Sequence, residues 1–134
     1  MSEVIDQPST LDPALKTIIE KKTRSRKGYI YCATCSNILS HIDDRIEVQG
    51  GHQHRFTNPF DLTFDIGCYQ TAPGCDISGK ANAADTWFAG HEWLLATCSE
   101  CTCHLGWYFE PLLVQSNSST FFGLILDRVQ MEQP

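Results

Sequence analysis

From Tyr29 onward the chain runs in short apolar segments broken by Gly, Asn, Pro and Ser, which is how an antiparallel β domain reads. The pattern predicts strands at Tyr29–Cys32, Ile42–Val48, His54–Thr57, Thr63–Cys68, Thr86–Phe88, Trp93–Thr97, His104–Phe109 and Phe121–Leu126. Turn signals at Gly50-Gly51, Asn58-Pro59, Pro73-Gly74 and Ala89-Gly90 separate them, and a polar loop, Ser116 to Ser119, precedes the last strand. Residues 1–27 read differently. They are polar, carry Pro8 and Pro13, and hold one helix-like patch, Asp12 to Glu20, where Leu11, Leu15, Ile18 and Ile19 share a face. The expected organisation is therefore a weakly ordered or loosely docked arm over 1–27, a β domain over 28–128 and a tail over 129–134, with no solenoid repeat.

Length narrows the picture: 134 residues accommodate one domain with one core, and exclude a second catalytic domain. No apolar run approaches the roughly 18 residues of a membrane span, so no membrane partner is expected. The N-terminal MSEVIDQPSTLDPALK mixes acids and prolines where a secretory signal needs a basic start and an apolar stretch, so a cytoplasmic protein is expected. A net charge of -6 repels phosphate and argues against nucleic acid as a partner; the one basic run, Lys21 to Lys27, reads as solvated linker. Seven cysteines, an odd number without a secretion signal, argue against a disulfide framework and leave metal ligation or free thiols.

The cysteines then acquire a pattern. Cys32-Ala-Thr-Cys35 and Cys98-Ser-Glu-Cys101 are two C-x-x-C pairs separated by 62 residues, 36 through 97. Each pair can turn two thiolates toward one point, and two such turns supply the tetrahedral ligands of one structural zinc, with Zn–S near about 2.3 Å. The metal would clamp two distant parts of a β domain, and its binding free energy would be folding free energy. The alternatives are a thioredoxin-like redox pair, which needs a βαβ context the pattern lacks, or incidental spacing. Cys103 or His104 in place of Cys101 also stays open, although on a strand leaving the turn Cys103 shares a face with Cys101 and reads as a small packed hydrophobe. Cys68 and Cys75 have no partner spacing and read as buried, unreactive thiols.

All three tryptophans fall within Asp85–Trp107. A turn centred on Gly90 would oppose Trp87 and Trp93 on neighbouring strands, and the next hairpin would set Trp93 opposite or diagonal to Trp107. Three indoles would then gather on one face, with Asp85, Thr86, His91 and Glu92 at the rim. A plain aromatic core is the usual fate of a single Trp, but this convergence beside Gly90 and Gly106 reads as an open aromatic box. Two ligand chemistries suit it. A methylated or quaternary ammonium would use cation–π attraction and the acids Asp85 and Glu92. A cyclic imide or uracil-like ring would stack on the indoles and pair its polar edge with backbone near Trp87.

Taken together, WFAGHEW, CSEC, HLGWYF and FFGLILDR, with YCATCSNILS and FTNPFDLTFDIGC upstream, resemble the C-terminal thalidomide-binding (CULT) domain of cereblon, especially its bacterial single-domain homologues, over roughly Tyr29 to Arg128. The resemblance implies an all-β fold of two antiparallel sheets meeting at a large angle, a β-tent, pinned by one zinc on Cys32, Cys35, Cys98 and Cys101. It implies a pocket walled by Trp87, Trp93 and Trp107 with Phe109 at its base and Asn58 and Pro59 at its mouth. The implied ligands are glutarimides, thalidomide-like compounds, uracil and imides formed at peptide C-termini, bonded through backbone at Asp85 and Trp87. The sequence departs from the pattern at Asp85, where the family has His or an aromatic residue, at His91 in place of a Tyr, and at Cys103 in place of a small residue. No ubiquitin-ligase adaptor is implied for this chain. The expected function is a noncatalytic binding module, since no nucleophile–base group or phosphate loop is identifiable. The alternatives are a thiol enzyme related to B-type methionine sulfoxide reductases, using Cys68, Cys75 or Cys103, and an aromatic cage for methylated ammonium.

Overall fold

The computed structural model describes residues 27–113 and 119–131. The helix-like patch at 12–20, the basic run except Lys27, and the polar loop except Ser119 lie outside the described residues. What is described is all-β, in two antiparallel sheets. The smaller runs β2 (Ile38–His41), β1 (Tyr29–Cys32), β9 (Val129–Met131). The larger has six strands in the order β3 (Gln53–Thr57), β4 (Thr63–Tyr69), β8 (Phe121–Ile125), β7 (His104–Pro111), β6 (His91–Cys98), β5 (Cys75–Asn82).

The strands with clear two-residue alternation fall where the sequence predicts them. In β3 and β4, His54, Phe56, Phe64, Ile66 and Cys68 point inward while Arg55, Thr57, Thr63 and Asp65 face water. Three expectations are corrected. The strand expected over Ile42–Val48 is a 3-10 turn, Ile42–Asp44, followed by two isolated bridges, Arg45 to Tyr69 and Val48 to Gly51, and the strand lies earlier, at β2. The His41 imidazole starts that turn by accepting the Asp43 N–H at 3.0 Å, which takes the chain out of extended conformation. Thr86–Phe88 is loop, because β5 already occupies the edge beside β6. Val129–Met131, expected in the tail, pair with β1.

The larger sheet separates two cores. Strand β8, FFGLI, is buried at every position, as a strand covered on both faces must be. Phe122 and Leu124 face one cluster with Ile30, Cys32, Leu39, Tyr69, Ala96, Cys98 and Leu105, toward the smaller sheet. Phe121 and Ile125 face the other, with Ile66, Cys68, Phe88, Trp107 and Phe109. Strands β7 and β8 approach so closely at Gly106, paired with Leu124, that a Cβ there would fall on the Gly123 carbonyl oxygen.

Three backbone bonds tie the cysteine turns to the sheets, one of them, from Gly74 to Leu39, crossing from the larger sheet to the smaller. Ala33 N–H donates to Arg128 O at 3.0 Å, Gly74 N–H to Leu39 O at 3.1 Å and Ser99 N–H to Gly74 O at 3.0 Å. Both cysteine turns are thereby fixed against the same framework.

Candidate functional site

On the second face of the larger sheet a cavity of about 200 Å³ is lined by Asn58, Pro59, Phe60, Asp85, Trp87, Trp93, Trp107 and Phe109. The three tryptophans meet there, but by a different route from the one the turn at Gly90 suggests. Trp93 is paired with Phe109 on one side and Asn82 on the other, and Trp107 is paired with Leu95, so Trp93 and Trp107 are diagonal neighbours on β6 and β7. Trp87 comes from the 83–90 loop, which folds over the sheet. Its fold follows from two residues in the left-handed region, Asp85 at φ 53 and Gly90 at φ 79, and from the wholly buried Phe88, which packs edge-on to Phe56, Phe109 and Phe121. Thr86 does not line the cavity; its hydroxyl donates to Phe88 O at 3.3 Å within the loop. His91, expected at the rim, is only 4% exposed, and its Nδ1–H donates to Ala89 O at 3.1 Å to hold the turn, while Nε2 meets no polar partner.

Each indole has a support that places it. Trp93 Nε1–H donates to Ala84 O at 2.9 Å, tying the strand to the loop. Trp87 stacks on Phe56 with ring centres 4.9 Å apart and planes at 11°, and meets Trp107 edge-on at 4.7 Å. Trp107 is also met by Phe64 at 5.4 Å and by the His104 ring at 4.9 Å. Phe56, Phe64 and Phe88 are site residues the sequence reading missed, although the alternation of β3 and β4 marks the first two as inward-facing. Phe60 was missed as well. It is 84% exposed at the lip, on a hairpin tip whose Asn58 Oδ1 accepts the Phe60 and Leu62 N–H groups, each at 2.9 Å.

On the opposite face the Sγ atoms of Cys32, Cys35, Cys98 and Cys101 all lie within 4.8 Å of one another. Cys32 and Cys101 are 3.7 Å apart, and Cys35 and Cys98 3.5 Å. Four thiols so placed can hold one metal ion, and the donor set fits a closed four-coordinate site. The surroundings favour thiolate at the first cysteine of each pair. Burial pushes Cys32 up, but the Cys35 and Thr34 N–H groups and the thiols of Cys103 and Cys101 outweigh it and bring Cys32 down to about 6. Cys98 is lowered likewise, burial being outweighed by the Cys101 and Glu100 N–H groups, the Cys35 thiol and Asn37. Asn37 Nδ2 stands 3.6 Å from Cys98 Sγ and also donates to Gly74 O and Ser99 Oγ, an outer support the sequence reading did not find.

The remaining thiols are of another kind. Burial pushes Cys68 up to about 12, and Cys75 up to about 12, where nearby Cys98 and Cys32 add to the effect. Neither has the lowered pKa of a thiol nucleophile. Cys103 packs against the first core, as expected, but its Sγ is also 3.5 Å from Cys32 Sγ. His104 links the two faces. Its Nε2–H donates to Gly106 O at 2.9 Å and Arg128 donates to its Nδ1 at 3.4 Å and its carbonyl at 3.0 Å, while the Arg128 guanidinium lies 5.7 Å over Phe64. Burial lowers the His104 pKa, the Gly106 bond raises it and the Arg128 charge lowers it again, for a net downward shift.

Fold and site together define an all-β domain with a four-thiol cluster on one side of its main sheet and an aromatic cavity on the other. No family model matches the chain. Among curated proteins, the chain is similar to cereblon: it is 26% identical over 107 residues to the cereblon of Drosophila erecta, 78% of this chain and 18% of that protein. It is 25% identical over 107 residues to that of Drosophila melanogaster, and 26% identical over 74 residues to that of Danio rerio, 55% of this chain and 17% of the fish protein. The domain is therefore cereblon-like, and it spans less than a fifth of the length of the relatives it matches. These relatives are animal proteins, and they bear on the domain rather than on the source of the chain. No helix among the described residues is long and apolar enough to cross a membrane.

Proposed function

We propose that this chain is a noncatalytic module that binds a small cyclic imide or uracil-like ring between Trp87, Trp93 and Trp107, and that one structural zinc on Cys32, Cys35, Cys98 and Cys101 maintains the sheet that carries two of those indoles. The observation that carries the reading is the cavity itself: about 200 Å³, three indoles and Phe109 around it, and few polar groups at its lip. A flat or puckered ring gains by stacking on indole faces in such a space. Its imide N–H and carbonyls would be met by backbone at Asp85 and Trp87, where the loop leaves groups outside any strand ladder. Asn58, Pro59 and Phe60 would bound the part of the ligand that projects from the mouth, which is where a peptide ending in a cyclic imide would continue. Zinc suits four thiolates because it is at ease in a tetrahedral sulfur site and undergoes no redox change. The ion would supply a fixed crosslink between the two cysteine turns.

Asp85 supports a second reading, a cage for methylated ammonium, because an acidic residue lines a cavity walled by indoles. One titration separates the two. Glutarimide, uracil and tetramethylammonium are added in turn while tryptophan fluorescence is followed. Saturable change with the two rings, and none with the ammonium, is expected. Saturation by the ammonium with no competition from the rings would replace the first reading by the second, and no change with any of them up to millimolar concentration would overturn both.

A further inference from the structure

The two cysteine turns share one build. In the first, Cys32 N–H donates to Asn37 O at 2.8 Å, Ser36 N–H donates to Cys32 O at 2.8 Å, and Ser36 sits at φ 64. In the second, Cys98 N–H donates to Cys103 O at 2.9 Å, Thr102 N–H donates to Cys98 O at 2.9 Å, and Thr102 sits at φ 64. Set residue against residue, Asn37 and Cys103 hold the same place, closing each turn opposite its first cysteine. Each also reaches across to the first cysteine of the other turn: Asn37 Nδ2 to Cys98 Sγ at 3.6 Å, and Cys103 Sγ to Cys32 Sγ at 3.5 Å.

We propose that Cys103 is not a fifth ligand but a positioning residue, whose S–H donates to the Cys32 sulfur as the Asn37 N–H donates to the Cys98 sulfur. The inference rests on reading the four thiols as a metal site. It explains why a thiol stands at a position whose counterpart is an amide: both are donors compact enough to cross between turns. Each first cysteine would then receive backbone N–H groups from its own turn and one side-chain donor from the opposite turn. The crossed donors orient the two sulfurs and spread their negative charge, so they slow ligand loss without contributing a bond to the metal. Cys103 remains beside Cys101 as well, so the competing role is that of a substitute ligand.

Cobalt(II) as the probe metal distinguishes these roles, because thiolate-to-cobalt absorption reports the number of sulfur ligands. The wild-type chain, Cys103→Ala, Cys103→Ser and Asn37→Ala are loaded with cobalt, their spectra recorded, and release to an excess of chelator timed. Cys103→Ala is expected to hold one cobalt with an unchanged four-thiolate spectrum and to release it about 10–100-fold faster than wild type. Asn37→Ala should fall in the same range, and Cys103→Ser, whose hydroxyl still donates, should release at close to the wild-type rate. A Cys103→Ala spectrum short of one thiolate would make Cys103 a ligand, and release at the wild-type rate would leave it no role; either result overturns this inference alone. A wild-type chain that takes up no cobalt overturns the metal reading, and this inference with it.

Discussion

The two faces of the six-stranded sheet solve the same problem, holding distant segments together, by opposite means. On the sulfur face four thiol sulfurs come from two short turns whose backbones repeat each other, and a compact set of hydrogen bonds places them. On the aromatic face the walls come from a loop, two strands and a hairpin tip, and ring-to-ring packing, with one indole hydrogen bond from Trp93 to Ala84, brings them to one cavity. Local turn geometry builds the first and the finished sheet builds the second. The cavity should therefore depend on the sulfur cluster, through β6 and β7, more than the cluster depends on the cavity.

The strongest test is to remove the metal or one ligand. Cys98→Ser, or exhaustive chelation of the metal-loaded protein, is expected to cost on the order of 5 kcal/mol. That lowers the thermal midpoint by more than about 20 °C in a domain of this size. Tryptophan fluorescence and circular dichroism should melt together, since β6 carries both Cys98 and Trp93; an aromatic face that keeps its ring affinity without the metal would break the dependence. Next comes Gly106→Ala, which puts a methyl against the Gly123 carbonyl where β7 meets β8. Forcing the strands apart there should cost roughly 3 kcal/mol, read as a lowered urea midpoint.

A smaller and more selective effect is expected from Phe56→Ala. Losing the ring stacked behind Trp87 should weaken ring binding about tenfold, on the order of 1.4 kcal/mol, while metal release stays unchanged. Equal effects on both readouts would contradict the division of labour. The smallest effect concerns pH. His104 has a lowered pKa in the folded chain, so below its unfolded value of about 6.5 the unfolded state binds the extra proton first. The stability His104 contributes is present above that pH and is lost as pH falls toward the folded value. His104→Gln should flatten that part of the stability profile between about pH 7 and pH 5.

The legibility of the two faces differed for the same reason. A C-x-x-C turn is complete within a few residues, so its spacing alone announced four thiols that the structure brings within 4.8 Å. The cavity was legible as a convergence of Trp87, Trp93 and Trp107, but the hairpin inferred for Trp87 and Trp93 does not exist, because β5 takes that place in the sheet. Strand β5, CDISGKAN, was invisible to pattern reading: every residue from Asp76 to Asn82 is exposed, with Gly79 at φ 85, so no alternation marks it. Strand β2 failed for the converse reason, with Leu39, Ser40 and His41 buried in succession. Asn37 carried no signal at all, since its part depends on a sulfur far along the chain.

The doubly covered strand β8 also sets an order of events during synthesis. Its partners are β4, far upstream, and β7, just before it, and it is the last strand the larger sheet receives. Both cysteine turns are already made by Cys103, whereas Phe121 follows later, so at roughly 5–20 residues per second the ribosome delivers the central strand about a second or more after the thiols. In that interval the nascent chain holds all four thiols but lacks the Arg128 carbonyl that ties down the first cysteine turn, and its aromatic face is still missing Phe121 and Ile125. The half-built sheet, with β4 and β7 edges open, is the form of this protein most in need of a chaperone.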